Sequence, residues 1–275
     1  MTRRLRTTWR YLVVDYSSRS LTHRDDVLAA ISSLAARMHS FLCTPYLAGL
    51  WYFTFIHDLC WRPSVPQHDN APLLPPMSAT SSHYIPTWSW MSLAHAVSYS
   101  VLDTPGRFIP HCVLSFHVTD TDSQFLQPPS NPRITLRGRL VEATLTFGTV
   151  TSAHLHSYNS TGGYSNVLLY NAPLVPTEAI SPASGEKVQT ARRGREGDVV
   201  DFFRGVVYLL DLGRWEPSQK RLTGLEKHYI LVLVPSVDYP GAYERVGMAD
   251  ESLLYLESVR RRVWGAVPVG DIVLV

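Results

Sequence analysis

Residues 134–149 read ITLRGRLVEATLTFGT. Ile134, Leu136 and Leu140 alternate with Thr135, Arg137 and Arg139, and Ala143, Leu145 and Phe147 alternate with Thr144 and Thr146. A period of two is the mark of a half-buried β-strand. The same signature, rich in β-branched and aromatic residues, recurs on both sides. Val97–Leu102, Cys112–Val118, Ile134–Leu140, Ala143–Thr149, Val167–Tyr170, Val206–Leu212, Tyr229–Val234 and Ile272–Val275 all read as strands separated by Pro, Gly, Asp and Asn.

Upstream of residue 84 the period is helical. Val27, Leu28, Ile31, Leu34, Ala35 and Met38 recur on one helix face, and Thr22 with Asp25 makes a capping-box-like start, predicting a helix over 24–39. Pro45 suits a first helical position, and the apolar run that follows predicts a second helix from Pro45 to Trp61. The first seven residues, with Arg3, Arg4 and Arg6, read as frayed, and Tyr11–Val14 as a strand-length stub. Prolines mark loops over 62–82 and 172–198, and the charged run EKVQTARRGREGD in the second predicts local disorder. Acids at its start and arginines at its end predict a third helix over 250–263.

This order of elements predicts an α+β, mostly β fold. Two N-terminal helices would pack on a many-stranded antiparallel barrel or strongly bent sheet. One domain over 1–275 is expected, with a helical part at 1–61 and a β-rich, barrel-like part at 84–275.

The chain has 275 residues, 45% of them hydrophobic and 17% charged, so it is not a disordered chain. A net charge of +2 lacks the basic excess of a dedicated nucleic-acid binder. Cys43, Cys60 and Cys112 form no CxxC pair, which excludes a disulfide framework and a cysteine zinc site. No run reaches the roughly 18 apolar residues of a membrane helix, and no signal-peptide run follows the basic N-terminus. A soluble, cytoplasmic protein is the expectation. No GxSxG, GxGxxG or Walker motif is present, and Gly194 and Gly197 lack the strand and helix of a phosphate cradle.

Several segments share one further pattern. These are WRYLVVDYSSRSLTHRDDVLAAISSLA at 9–35, YLAGLW at 46–51, DLCW at 58–61, IPTWSWMS at 85–92 and YERVG at 243–247. In order and spacing they resemble the region that follows the HET domain in fungal heterokaryon-incompatibility proteins. Ser33 stands where that family often has Gly, and Thr87 where Ser is common. The HET domain itself is expected to be missing, so none of its active residues has a position here. The resemblance implies a fungal source and a fold, and it transfers no activity.

Candidate chemistry comes from aromatics and histidines. On a strand, Trp88 and Trp90 would share a face, as core or as the wall of an apolar pocket. His154 and His156 in AHLHSY are also two apart; they suit hydrogen-bond donation to a substrate carbonyl. As a metal pair they would need a third ligand, such as His111, His117 or a carboxylate, and nothing in the sequence marks one. Tyr158, Gly162, Gly163 and Tyr164 in YNSTGGY read as a hairpin turn or a lip over a pocket. His57 and Asp58 read as structural, with Asp58 and Arg62 an i, i+4 pair, and Arg260, Arg261 and Arg262 as a helix-end cation patch.

Seven Trp, fourteen Tyr and nine Phe suggest an aromatic-lined cavity. Two functions follow. The first is a cofactor-independent small-molecule cyclase of fungal secondary metabolism, of cycloaddition or Diels–Alder type, acting on an apolar terpenoid or polyketide. His154, His156 and Tyr158 would be catalytic, and Trp88, Trp90, Tyr99 and Tyr164 would bind the substrate, with no cofactor and no metal. The alternative is a non-catalytic module of the incompatibility system that binds a protein partner or a second copy of itself.

Overall fold

The structure is a computed structural model. It describes residues 2–19, 27–64, 85–93, 96–99, 106–115, 133–147, 153–156, 165–169, 174–181, 184–193, 203–217, 227–252 and 264–275. Among these the chain is mostly β, with few helices and a large mixed sheet.

Helix α1 spans Thr2–Ser17, so the expected fraying and strand stub are both corrected. Trp9 and Val13, one turn apart, are fully buried, and Leu5, Leu12 and Tyr16 pack beside them. That i, i+4 spacing makes the segment a helix despite its four arginines. Helix α2 spans Val27–Leu42, which bears out a helix where one was expected. Ile31, Ala35 and Met38 are buried as the stripe requires, but Leu34 is 41% exposed. The proposed cap at Thr22 and Asp25 lies outside the described residues.

No single helix follows over 45–61. Instead β1 (Tyr46–Leu47) and β2 (Leu50–Trp51) form a hairpin. Its two turn residues, Ala48 and Gly49, have φ of 39° and 94°. Positive φ at both central positions is the type I′ turn, whose twist matches paired strands and not a helix. A 3-10 turn at Tyr52–Thr54 leads into the short helix α3, Phe55–Asp58. Because α3 ends there, Arg62 lies not on it but on strand β3 (Trp61–Pro63). Asp58 is instead paired with Arg10 of α1, whose Nε and Nη2 lie 2.8 and 2.7 Å from its Oδ1. Thr54 donates to Asp58 Oδ2 at 2.6 Å.

The remaining strands are β4 (Val97–Tyr99), β5 (Gly106–Pro110), β6 (Val113–Ser115), β7 (Ile134–Gly138), β8 (Leu140–Phe147), β9 (Ala153–His156) and β10 (Ser165–Leu169). They continue as β11 (Leu174–Ile180), β12 (Lys187–Arg193), β13 (Phe203–Pro217), β14 (Lys227–Pro235), β15 (Ala242–Ser252) and β16 (Gly270–Leu274). All eight expected strands are present, with shifted ends. The loop expected over 172–198 contains the β11–β12 hairpin, in register from Leu174↔Arg193 to Ile180↔Lys187. Among its described charges, Glu178, Glu186 and Lys187 are exposed. The helix expected to begin at residue 250 is corrected in part: β15 runs through Ser252, and 253–263 lie outside the described residues.

The main sheet runs β11-β12-β13-β8-β9-β10-β15-β16-β7-β6. Strand β14 pairs with both β13 and β15, and β5 pairs with β13. Its pairings are antiparallel except β12–β13 and β15–β16. Two buried clusters form. One is aromatic-rich and joins α1, α2 and the hairpin to Tyr208, Leu210 and Leu212 of β13 and Tyr229, Leu231 and Leu233 of β14. The other is aliphatic and takes the opposite faces of the same strands, including Val207 of β13 and Ile230, Val232 and Val234 of β14. Strand alternation divides the two. No helix among the described residues is long and apolar enough to cross a membrane.

Candidate functional site

Strand β13 enters the site through an irregularity. Its register with β14 shifts between Asp211 and Gly213, a β-bulge that leaves Leu212 without a counterpart. Gly213 has φ of 148°, and a Cβ there would lie 2.3 Å from the Ile109 carbonyl oxygen, so β5 can approach only a glycine. Asp211 Oδ1 accepts the Gly213 N–H at 3.1 Å, which fixes the carboxylate at the bulge. The Leu212 carbonyl accepts the His111 N–H at 3.0 Å and so ties the end of β5 to the same point.

Three side chains converge there: His111, Asp211 and His228. His111 Nδ1 lies 2.8 Å from Asp211 Oδ2, a hydrogen bond in which the imidazole donates. His228 Nδ1 lies 3.8 Å from Asp211 Oδ1, too long for a hydrogen bond. It is buried and has no hydrogen-bond partner among the described residues. The side chains are 21% (His111), 8% (Asp211) and 2% (His228) exposed, so His111 faces outward and the other two lie beneath it. Burial pushes the Asp211 carboxyl upward, but the hydrogen bond from His111 and the contact with His228 outweigh it and hold it at about 2. The carboxylate is therefore charged at neutral pH.

Apolar rows meet the site on one side, while the cross-strand neighbours of His228 are Arg214 and Glu251. Asp211 continues the β13 row of Val207 and Leu209, and His228 precedes the β14 row of Ile230, Val232 and Val234. The polar cluster thus closes one end of the aliphatic rows. Further along the same strands, His57 of α3 stacks on Phe108 of β5, with centroids 4.6 Å apart, and lies 5.7 Å from the Trp215 ring of β13.

No family model, no curated protein and no solved structure matches the chain.

The residues singled out from sequence fall into two groups. Trp88, Trp90 and Tyr99 come together in the aromatic cluster. Trp88 and Trp90 do not share a strand face: Trp88 lies in a turn and Trp90 opens a 3-10 turn capped by Ser89. Trp88 packs edge-on against Phe55, and its carbonyl accepts the Trp61 indole N–H at 3.0 Å. Trp90 donates to the Gly49 carbonyl at 3.1 Å, as does Trp9. Tyr99 pairs with Trp61 across β3–β4. All three have a packing role. His154 and His156 lie on β9, in register with Thr146 and Thr144 of β8. Tyr158 and Tyr164 lie outside the described residues.

Asp211 and His228 were not singled out from sequence, and His111 only as a partner for His154 and His156. A signal was present. Asp211 is the one charge in VVYLLDL at 206–212, and His228 directly precedes YILVLV at 229–234. A polar residue abutting a buried strand needs a partner.

A second buried polar cluster is structural. Arg245 of YERVG is fully buried and stacks 3.6 Å from the Trp61 ring. It donates to the Leu59 and Trp61 carbonyls at 2.9 and 2.6 Å. Its own N–H donates to Thr87 Oγ1 at 2.9 Å, and Thr87 in turn donates to the Val275 carbonyl.

Proposed function

We propose that the chain is a small-molecule enzyme in which His111 and Asp211 act on an apolar substrate. The observation that carries this reading is the 2.8 Å His111–Asp211 contact at the end of two aliphatic rows. An ionised carboxylate on Nδ1 fixes the tautomer and stabilises the imidazolium. That leaves Nε2 to donate to a substrate carbonyl or to take a proton.

In this reading β13, β8, β9, β10, β15 and β14 form a small barrel with the N-terminal helices against its outer face. Support comes from the pairings, which pass from β13 through β8, β9, β10, β15 and β14 back to β13. The reaction class is cyclisation of a terpenoid or polyketide, of cycloaddition type. Such a reaction asks for a shaped apolar surface and one polarising donor and no nucleophile. The resemblance of YLAGLW and IPTWSWMS to fungal heterokaryon-incompatibility proteins supports a fungal setting in this reading.

A panel of linear polyene terpenoids and polyketides tests this by thermal shift and native mass spectrometry. A substrate at 100 times its Kd should stabilise the protein by about 2.7 kcal/mol. It should leave as an isomer of unchanged mass, and His111→Ala should lower kcat at least ~100-fold. Stabilisation by no member of the panel, or turnover indifferent to His111, refutes the reading.

One observation favours the partner-binding alternative. Leu34 and Phe41 are two turns apart on α2 and 41% and 59% exposed. If this face docks a protein, Leu34→Glu with Phe41→Glu should abolish capture of that partner and leave Tm unchanged. Capture that survives both changes excludes α2 as the surface.

A further inference from the structure

We infer that His111, Asp211 and His228 together bind one divalent first-row transition-metal ion, of which zinc is the representative. This departs from the sequence expectation of no metal. It stands on the cluster alone and concerns a metal-bound state distinct from the metal-free His111–Asp211 pair of the proposed reaction.

The donor set is two imidazole nitrogens and one carboxylate oxygen, with all ligand atoms within 4.8 Å of one another. Ligands about 2.0–2.1 Å from a tetrahedral zinc ion stand roughly 3.3 Å apart. The two rings reach different oxygens of one carboxylate, His111 Nδ1 at 2.8 Å from Oδ2 and His228 Nδ1 at 3.8 Å from Oδ1, and one ligand atom from each of the three residues falls within 4.8 Å of the others. The second distance is the telling one. It is too long for a hydrogen bond and well suited to two ligands of one ion.

His228 supplies an independent observation. Its side chain is 2% exposed, its Nδ1 is directed at Asp211, and that nitrogen has no hydrogen-bond partner among the described residues. A buried imidazole nitrogen left without a hydrogen bond is costly, and giving up its proton to coordinate an ion satisfies it. The bulge at Asp211–Gly213 places the carboxylate between the two rings. Coordination through Nδ1 of His111 moves its proton to Nε2, so the ion takes the place of the hydrogen bond to Asp211.

Imidazole donors favour zinc, cobalt, nickel or ferrous iron over magnesium and calcium, which prefer all-oxygen sites. Three protein ligands leave a fourth position on the side of His111, the most exposed of the three. That position is open to water or a substrate oxygen.

The test uses the full chain, stripped with chelator and titrated with zinc by calorimetry and with cobalt by its visible absorption. One equivalent should bind with Kd on the order of 1 µM or tighter, and cobalt should give the intense bands of four-coordination. His111→Ala and Asp211→Asn should each weaken binding at least ~100-fold, while a variant carrying both His154→Ala and His156→Ala should not change it. Circular dichroism checks that each variant is folded. His111, being partly exposed, is the site where loss of the ligand least disturbs packing. Absence of a stoichiometric site, or an equivalent that persists in folded His111→Ala or Asp211→Asn, overturns the inference. Neither readout involves a substrate, so this result and that of the turnover test are separable.

Discussion

The two buried clusters of this molecule are built on opposite principles. The aromatic cluster holds Trp9, Trp51, Trp61, Trp88 and Trp90, and directional contacts fix three of these rings. Trp9 and Trp90 both donate to the Gly49 carbonyl, and Trp61 donates to that of Trp88. The aliphatic cluster is made of Ala143, Leu145, Ala191, Val207, Ile230, Val232, Val234, Val246 and Ala249. It has only volume to satisfy until it reaches Asp211 and His228 at its end. A core with polar hooks specifies one arrangement, whereas an aliphatic core tolerates exchange among residues of similar size. The molecule uses the first to join its N-terminal segment to the sheet and the second between strands.

Substitution should separate the two. Trp61→Ala removes a fully buried ring, its hydrogen bond and the surface on which Arg245 stacks. A cost of about 4–5 kcal/mol is expected in urea unfolding. A loss below about 2 kcal/mol would mean that the cluster repacks freely.

Gly49→Ala comes next. Its φ is 94°, and a Cβ would lie 2.4 Å from Trp90 Nε1. Strain and displacement of that ring should cost about 2–3 kcal/mol, with a change in near-ultraviolet circular dichroism. An unchanged spectrum would show that the Gly49–Trp90 contact does not order the ring.

In the aliphatic cluster, Ile230→Val should cost only about 0.5–1.5 kcal/mol and leave that spectrum alone. A larger loss would erase the contrast.

The smallest effect concerns thiols. Cys43 is exposed, whereas Cys60 and Cys112 are buried. Burial pushes the Cys112 thiol up to about 12 and that of Cys60 upward as well. Iodoacetamide at neutral pH should therefore modify Cys43 alone in the native protein, read by intact mass. Modification of Cys60 would mean that the aromatic cluster opens.

The strands were legible because their pattern is local. ITLRGRL and ATLTF alternate, and β7 and β8 lie on them. Helix α1 escaped because Arg3, Arg4 and Arg6 masked the Trp9–Val13 spacing. The apolar density of residues 45–61 suggested a helix, yet two positive φ values at Ala48 and Gly49 turn the chain into a hairpin. Here turn chemistry decides against periodicity. The β11–β12 hairpin escaped because its residues are charged, as exposed strand residues are.

The candidate site was the least legible. His111 and Asp211 are 100 residues apart, and only the pairing of β5 with β13 and the bulge at Gly213 bring them together. No spacing rule reaches that far. The aromatic residues chosen from sequence were conspicuous for a different reason: large rings dominate a core.

The most direct test of the central claim is turnover of one stabilising apolar substrate by a matched pair of variants. The account predicts that Asp211→Asn loses at least ~100-fold in kcat, because His111 loses its anionic partner. It predicts that a variant carrying both His154→Ala and His156→Ala turns over like the parent. A fully active Asp211→Asn protein, with activity lost instead from the β9 variant, would contradict it.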